Sequence, residues 1–220
     1  MLGDVLLIGE IHKQAAIDIF ECVMADRVKK GDDYKYIIGV SGESGSGKSE
    51  LAHVLANLLK NESIRAKLLH IDNYYKIPPL LRHEWRKTHG IETVGLEEID
   101  WRLLNENILD FKEDRESMMP CVDIISEQVD KLITDFRKVN ILVLDGLYAL
   151  NANSIDMKIF IDLTYHETKM AQLVREKESY DTFREKVLEQ EHQIISKYKE
   201  HADIIVDKSY KVIKVNKCKK

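Results

Sequence analysis

The chain is poor in cysteine, and the three cysteines that it has lie far apart. Cys22, Cys121 and Cys218 form no C-x-x-C pair. This spacing argues against a disulfide framework or a structural metal site and predicts a reducing compartment. Long apolar runs are also missing, because no uninterrupted stretch approaches the roughly 18 residues that a membrane-spanning helix needs.

Positive charge is not in excess either. The chain has 33 lysines and arginines against 38 aspartates and glutamates, which gives a net charge of −5. A dedicated nucleic-acid-binding protein usually carries a basic excess, so the composition argues against one. The first residues include no basic region, and Asp4 and Glu10 interrupt their apolar pattern, so no signal peptide is predicted. We therefore expect a cytoplasmic protein with no membrane partner.

What the chain does have is a phosphate-binding motif at residues 42–49. The stretch matches G-x-x-x-x-G-K-[ST] at every position. The predicted nucleotide-binding residues are Gly42, Glu43, Ser44, Gly45, Ser46, Gly47, Lys48 and Ser49. An apolar run precedes the motif and apolar residues at helical spacing follow it, so strand, loop and helix come in the required order. Lys48 is predicted to reach the β- and γ-phosphates, and Ser49 to bind Mg²⁺.

Strand and helix patterns alternate along the rest of the chain. Strands are predicted at 36–41, 66–71, 140–146, 157–162, 202–206 and, at an edge, 211–215. Helices are predicted at 11–29, 48–60, 80–88, 101–112, 166–177 and 182–201, and a hairpin at 117–125 and 129–136. This order predicts an α/β fold with a mainly parallel sheet covered by helices on both faces.

No internal repeat, low-complexity tract or Gly/Ser linker divides the chain, so we expect a single domain over residues 1–220. Residues 1–31 are predicted as a leading helix, which leaves a homo-oligomer open. Residues 73–136 are predicted as a substrate-side insertion, because their periodicity is poor and two adjacent prolines interrupt it. Residues 166–185 are predicted as a lid.

Two aspartates follow predicted strands and are candidates for the chemistry. Asp145 closes the apolar run 141–144 and is predicted as a second Mg²⁺ ligand, the alternative being a surface strand end. Asp72 closes the run 68–71, and the carboxyl ends of parallel strands face the ligand crevice. It is predicted as the base that takes the proton of an attacking hydroxyl, the alternative being a turn cap.

Aromatic residues gather around the predicted insertion. Tyr74, Tyr75 and Trp101 are candidates to stack on a flat acceptor, and packing of the insertion against the sheet is the alternative for each. Arg175 and Arg184 bracket a predicted loop between two helices. An arginine there, Arg175 above all, is predicted to close over the transferring phosphate, and pairing with glutamates on the helix surface is the alternative.

Taken together, the residues resemble the uridine kinase/phosphoribulokinase family of P-loop kinases. The resemblance spans roughly residues 36–207 and is carried by the segments 42–49, 70–75, 98–101, 142–150 and 202–206. It implies a three-layer P-loop NTPase fold with a substrate-side insertion and a short lid. It also implies ATP and Mg²⁺ as cofactors and a small-molecule hydroxyl as acceptor, with Asp72 as the base.

The chain departs from the family at the positions that recognise uridine. The family's ribose-binding Asn-Phe-Asp falls on residues 92–94, where Val94 replaces the aspartate. In the base-reading segment, Val122 and Glu127 replace an aromatic residue and a histidine. Because valine accepts no hydrogen bond, the resemblance supports a kinase and leaves its acceptor open.

Other functions compatible with the motif are a regulatory NTPase and an ATP-binding scaffold without turnover. A GTPase needs a guanine-reading Asn-Lys-x-Asp, and the similar residues 216–219 lack the aspartate. The preference for ATP over GTP is not decided by the sequence. Non-nucleoside acceptors that remain open include pantothenate, glycerate and sugar phosphates.

Overall fold

The computed structural model of the protein describes residues 2–31, 33–126, 128–169 and 181–215. In these ranges the α-helices are α1 (Glu10–Lys30), α2 (Lys48–Asn61), α3 (Pro79–His89), α4 (Trp101–Lys112) and α5 (Thr182–Ile195). The strands there are β1 (Tyr36–Gly42), β2 (Ala66–His70), β3 (Glu116–Asp123), β4 (Gln128–Asp135), β5 (Ile141–Asp145), β6 (Met157–Ile161), β7 (Ile204–Val206) and β8 (Val212–Lys214).

The main sheet of the described residues has the strand order β2-β5-β1-β6-β7-β8. Its first five strands run parallel, and β8 pairs antiparallel with β7. β1 and β5 are buried along their whole length. Continuous apolar runs of this kind are what a parallel sheet needs when both faces are covered. The predicted α/β fold with a mainly parallel sheet is therefore confirmed.

Alternate residues of β1 and β5 enter two separate cores. Ile38 and Val143 lie in the first core, together with buried residues of α1 and α2. Ile37 and Leu142 lie in the second, where Phe111 of α4 joins them. Side chains of a strand alternate between its faces, so each buried strand supplies both cores. Helices thus cover the sheet from both sides.

The leading helix α1 lies where the sequence predicted it and is fastened to the sheet. Lys30 Nζ lies 2.5 Å from Asp156 Oδ1, and the other oxygen of Asp156 accepts the Ile37 N–H at 2.8 Å. The Tyr36 hydroxyl donates to Asp26 of α1 at 2.8 Å. Neither this 21-residue helix nor any other described helix is apolar enough over the necessary length to cross a membrane.

The insertion contains the predicted hairpin, made by β3 and β4. The two strands are antiparallel, with Glu116 opposite Asp135 at one end and Asp123 opposite Gln128 at the other. Leu2 extends this hairpin, because its N–H donates to the Val122 carbonyl at 2.9 Å. The start of the chain is therefore hydrogen-bonded to the hairpin.

Two predicted elements end differently from expectation. The helix predicted at 182–201 is α-helical to Ile195 and continues as the 3₁₀ helix Ser196–His201, a tightening that is common in last turns. Ile71, predicted as the end of a strand, instead begins the 3₁₀ turn Ile71–Tyr74. The helix predicted at 166–177 lies mostly outside the described residues.

Candidate active site

The phosphate-loop residues lie between the end of β1 and the start of α2. Gly45 and Gly47 have φ angles of +77° and +86°, which favour glycine. A Cβ atom on Gly47 would clash with the Tyr210 hydroxyl and lie 2.6 Å from His12 Nε2. The Tyr210 hydroxyl also donates to the carbonyl of Ser46. His12 of α1 and Tyr210 therefore pack closely against the phosphate loop at Gly47. The sequence motif did not predict these two contacts.

Lys48 and Ser49 open α2, so they lie at the positive end of a helix dipole. Lys48 Nζ donates to the Glu43 carbonyl at 3.2 Å, which folds the lysine side chain over the loop. Ser49 and Lys48 are close enough to Asp145 for both to lower the pKa of its carboxyl, against the effect of burial. The two motif residues predicted to bind phosphate and metal therefore lie beside the predicted second metal ligand.

Asp145 ends β5 in the middle of the sheet, beside Val40 of β1 and His70 of β2. It is 2% exposed, and its Oδ1 lies 2.6 Å from His70 Nδ1. Burial would raise the pKa of Asp145, but His70, Ser49 and Lys48 together hold it below its usual range. The carboxylate is therefore charged and suited to a cation. The sequence missed His70, although this residue precedes Asp72 by only two positions.

Asp72 lies in the 3₁₀ turn Ile71–Tyr74 that follows β2. β2 and β5 are parallel neighbours, so the turn after β2 and Asp145 at the end of β5 both lie at the carboxyl ends of the strands. Asp72 is half-buried, and its carboxylate forms no hydrogen bond or ion pair with any residue in the described ranges. An unengaged carboxylate at a ligand-binding edge is available to a substrate proton.

Glu43 of the phosphate loop is buried, and both of its carboxylate oxygens are used. Oε1 lies 2.6 Å from His192 Nδ1 on α5. Oε2 accepts the backbone N–H of Tyr165 at 2.5 Å. The Tyr165 hydroxyl in turn donates to Glu189, also on α5, at 2.9 Å. Sequence reasoning predicted Glu43 only as a loop residue and missed His192 and Tyr165 altogether, since nothing in a single sequence pairs them.

The predicted lid is described only at its two ends. Before the gap, the Thr168 hydroxyl donates to the Ser44 carbonyl of the phosphate loop at 2.7 Å. After the gap, the Asp181 side chain caps α5 by accepting the N–H of Arg184 at 2.7 Å. Arg184 is buried. Arg175, the predicted lid arginine, lies outside the described residues.

The aromatic residues predicted to contact the acceptor have different surroundings. Tyr74 is a core residue at 2% exposure, and its hydroxyl donates to Asn107 Oδ1 at 2.7 Å. Trp101 packs beside the same core, and its indole N–H donates to the Leu96 carbonyl at 2.7 Å. For Tyr74 the packing alternative holds, because the side chain is buried and its hydroxyl is already bonded inside the protein. Trp101 is half-buried, and its stacking on an acceptor stays a prediction. Tyr75 directly follows the 3₁₀ turn that carries Asp72, and its contact with an acceptor stays a prediction.

The two valines at uridine-reading positions are buried. Val94 is 3% exposed and Val122 is 5% exposed, and Glu127 lies outside the described residues. The Val122 backbone N–H is taken by the Asn73 side chain at 3.1 Å. Neither valine side chain can offer a hydrogen bond to a nucleoside hydroxyl.

Three comparisons with known proteins bear on this site. A model of the phosphoribulokinase/uridine kinase family matches residues 37–218. The chain belongs to this family. A uridine kinase of Macrococcus caseolyticus is 28% identical over 184 residues, which cover 77% of this chain and 86% of the relative.

Solved structures support the same fold. A possible uridine kinase from Bacillus stearothermophilus has a TM-score of 0.62 at 16% identity, covering 87% of this chain and 97% of its own. A D-glycerate 3-kinase from Cryptococcus neoformans has a TM-score of 0.61 at 11% identity, covering 94% and 100%. The chain thus has the fold of P-loop kinases. Like the named members of its family, it is a phosphotransferase that acts on a hydroxyl group.

Proposed function

We propose that the protein transfers the γ-phosphoryl group of ATP to a hydroxyl of a small molecule. The observation that carries this proposal is the position of Asp72, half-buried and without a described partner, at the sheet edge shared by the phosphate loop and Asp145. Phosphoryl transfer needs a phosphate cradle, a metal site and a group that orients or deprotonates the acceptor. This edge brings together residues suited to all three tasks.

The residues around the loop fit a nucleotide phosphate and its metal. The close packing at Gly47 leaves room for backbone only, as a loop that wraps phosphate oxygens requires. Ser49 and Asp145 would hold Mg²⁺, which favours oxygen ligands. When bound, Mg²⁺ neutralises charge on the phosphate oxygens. Lys48 would move from the Glu43 carbonyl to the phosphates.

Asp72 would receive the proton of the attacking hydroxyl, since no described residue competes for its carboxylate. The lid would exclude water once ATP and acceptor are bound. Thr168, in the described start of the lid, contacts the phosphate loop at Ser44. Tyr165 and His192, which lie outside the lid on either side of it, both contact Glu43. Arg175 stays the proposed lid arginine. A cytoplasmic location, a homo-oligomer and a lack of nucleic-acid partners also stay predictions.

Uridine is not the acceptor that the site favours. Val94 and Val122 occupy positions where the family places hydrogen-bonding side chains for the nucleoside, and both are buried. A site that lacks such partners gains little from a nucleoside hydroxyl or base edge. A non-nucleoside acceptor such as pantothenate, glycerate or a sugar phosphate therefore fits better.

The experiment that tests the proposal measures ADP release from Mg·ATP in the presence of nucleosides, pantothenate, glycerate and pentose phosphates. The wild-type chain is compared with Asp72→Asn and with the matched control Asp130→Asn, which changes an exposed aspartate of the hairpin. Acceptor-dependent release that only Asp72→Asn loses supports the proposal. ATP binding without release above the water background, for every acceptor, would favour a regulatory or scaffold P-loop protein.

A further inference from the structure

Buried charged residues lie between α3, α5 and the turn that carries Asp72. At their centre, Arg86 of α3 is balanced by two carboxylates. Its Nε and Nη2 donate to the two oxygens of Glu98 at 2.7 and 2.8 Å, and Nη2 also reaches Glu191 of α5 at 3.3 Å. A buried arginine needs such partners, because an uncompensated charge away from water is costly. Arg86 is accordingly a structural residue.

Arg82 lies one turn earlier on α3 and is 7% exposed, but no ion pair joins it to any described residue. Its Nε donates to the Ile77 carbonyl at 3.3 Å. Its Nη2 is enclosed and donates to no atom of the described chain. Arg82 and Arg86 therefore share a helix and a degree of burial, yet among the residues that the structure describes only Arg86 has counter-charges.

The ring of Tyr75 connects Arg82 to the proposed reaction centre. The Arg82 guanidinium lies 3.4 Å from the centre of this ring, a stacked cation–π contact. Tyr75 directly follows the 3₁₀ turn that carries Asp72. Burial raises the pKa of the Tyr75 hydroxyl, while the charge of Arg82 lowers it and the charge of Asp72 raises it. Arg82 thus packs on a ring that lies three residues after Asp72 in the chain.

We propose that Arg82 binds an anionic group of the acceptor, a carboxylate or a phosphate, while the acceptor's hydroxyl faces Asp72. This inference rests on the proposed function, whose acceptor it narrows. A planar guanidinium matches carboxylate and phosphate oxygens, and an anion at Arg82 supplies the counter-charge that the described protein does not. A neutral nucleoside supplies no counter-charge to Arg82. Arg82 therefore selects anionic acceptors over neutral ones of the same size.

The inference is tested with matched acceptors that differ in charge: glycerate against glycerol, pantothenate against pantothenol, and ribose 5-phosphate against ribose, with uridine added. The carboxylates and phosphates in this set distinguish the two anion chemistries. For the wild-type chain, kcat/KM of the best anionic acceptor should exceed that of its neutral counterpart by about 10- to 100-fold, as a charged hydrogen bond provides.

Arg82→Gln should remove this preference by lowering kcat/KM for the anionic member alone, with Mg·ATP binding and the thermal unfolding midpoint monitored in parallel. The matched control is Arg102→Gln, because the Arg102 side chain is 75% exposed and pairs only on the surface of α4. This control should keep the wild-type preference. If Arg82→Gln does not fold, the wild-type acceptor pairs still decide the question.

Equal turnover of charged and neutral members, or a preference that survives Arg82→Gln, would overturn the anion site and leave the kinase function standing. Efficient turnover of uridine that Arg82→Gln does not change would also overturn the anion site and leave the kinase function standing. Failure of every acceptor, with Mg·ATP still bound, would contradict the proposed function together with the anion site. The two failures are therefore distinguishable.

Discussion

Glu43 Oε1 lies 2.6 Å from His192 Nδ1, although 149 residues separate the two in the chain. The same carboxylate accepts the Tyr165 N–H through its other oxygen. One side chain of the phosphate loop therefore contacts the segment before the lid and the helix after it. The backbone carbonyl of Glu43 also accepts a hydrogen bond from Lys48 Nζ, so this residue contacts a predicted phosphate ligand as well.

Glu43→Ala should lower the free energy of unfolding by about 1–3 kcal/mol, because the buried Tyr165 N–H and His192 lose their acceptor. The variant should also raise the KM for ATP, since the phosphate loop loses its contacts with Tyr165 and α5. Chemical denaturation and steady-state kinetics measure the two effects. Glu21→Ala, which changes an exposed glutamate of α1, is the control and should alter neither quantity.

Gly47→Ala should abolish Mg·ATP binding, measured by calorimetry, because its Cβ would meet Tyr210 and His12. Gly31→Ala is the matched control. Gly31 also has a positive φ, of +93°, but no atom lies within 4 Å of the position that an added methyl group would take. Both variants should lose about 1–3 kcal/mol of stability from backbone strain, and only Gly47→Ala should lose ATP. If Gly47→Ala and Gly31→Ala bound ATP with equal affinity, the claim that the loop has no room for a side chain at Gly47 would be wrong.

Tyr74→Phe should destabilise the fold by about 1–3 kcal/mol, because buried Asn107 loses its hydrogen-bond donor. It should leave the KM for the acceptor unchanged, since Tyr74 is a core residue. Tyr198→Phe removes the same atom from a buried hydroxyl that has no hydrogen-bond partner among described residues, and it should be nearly neutral. An acceptor KM that rises in Tyr74→Phe without loss of stability would restore Tyr74 as a substrate contact.

The cap of α5 predicts a pH dependence. The N–H of Arg184 and the nearby Lys87 hold the pKa of Asp181 at about 2, although partial desolvation opposes the shift. Because this pKa lies below the unfolded value of about 3.9, the stabilisation is complete above pH 4 and is lost as the pH falls toward 2. Thermal unfolding midpoints of wild type and Asp181→Ala should differ at neutral pH and converge in that window. A difference that stays constant down to pH 2 would contradict the assignment.

Local patterns predicted most of the sheet and the phosphate loop. Runs such as 36–41 and 140–146 are apolar and β-branched because their strands are buried on both faces. The glycines of the phosphate loop could be recognised from the sequence, because positive φ angles and close packing there disfavour any residue with a side chain. The strand-end position of Asp72 and Asp145 followed from the same rule, since parallel strands end at one edge.

What the sequence did not reveal depends on contacts between distant segments. His192 meets Glu43, and His70 meets Asp145, only because the chain folds back on itself. An aromatic residue near a site looks the same in sequence whether it faces a substrate or the core, so Tyr74 was predicted as a contact. The contrast between Arg82 and Arg86 is likewise invisible until the carboxylates around them are placed.

The most direct test of the proposed chemistry is the kcat of Asp72→Asn with the acceptor that the wild-type chain phosphorylates best. If Asp72 takes the proton of the attacking hydroxyl, kcat should fall by about 10²- to 10⁴-fold, the usual contribution of a general base. The KM for ATP should stay within about twofold, because Asp72 forms no hydrogen bond or ion pair with any described residue of the phosphate loop. A kcat close to that of wild type would contradict the role assigned to Asp72 and, with it, the proposed mechanism.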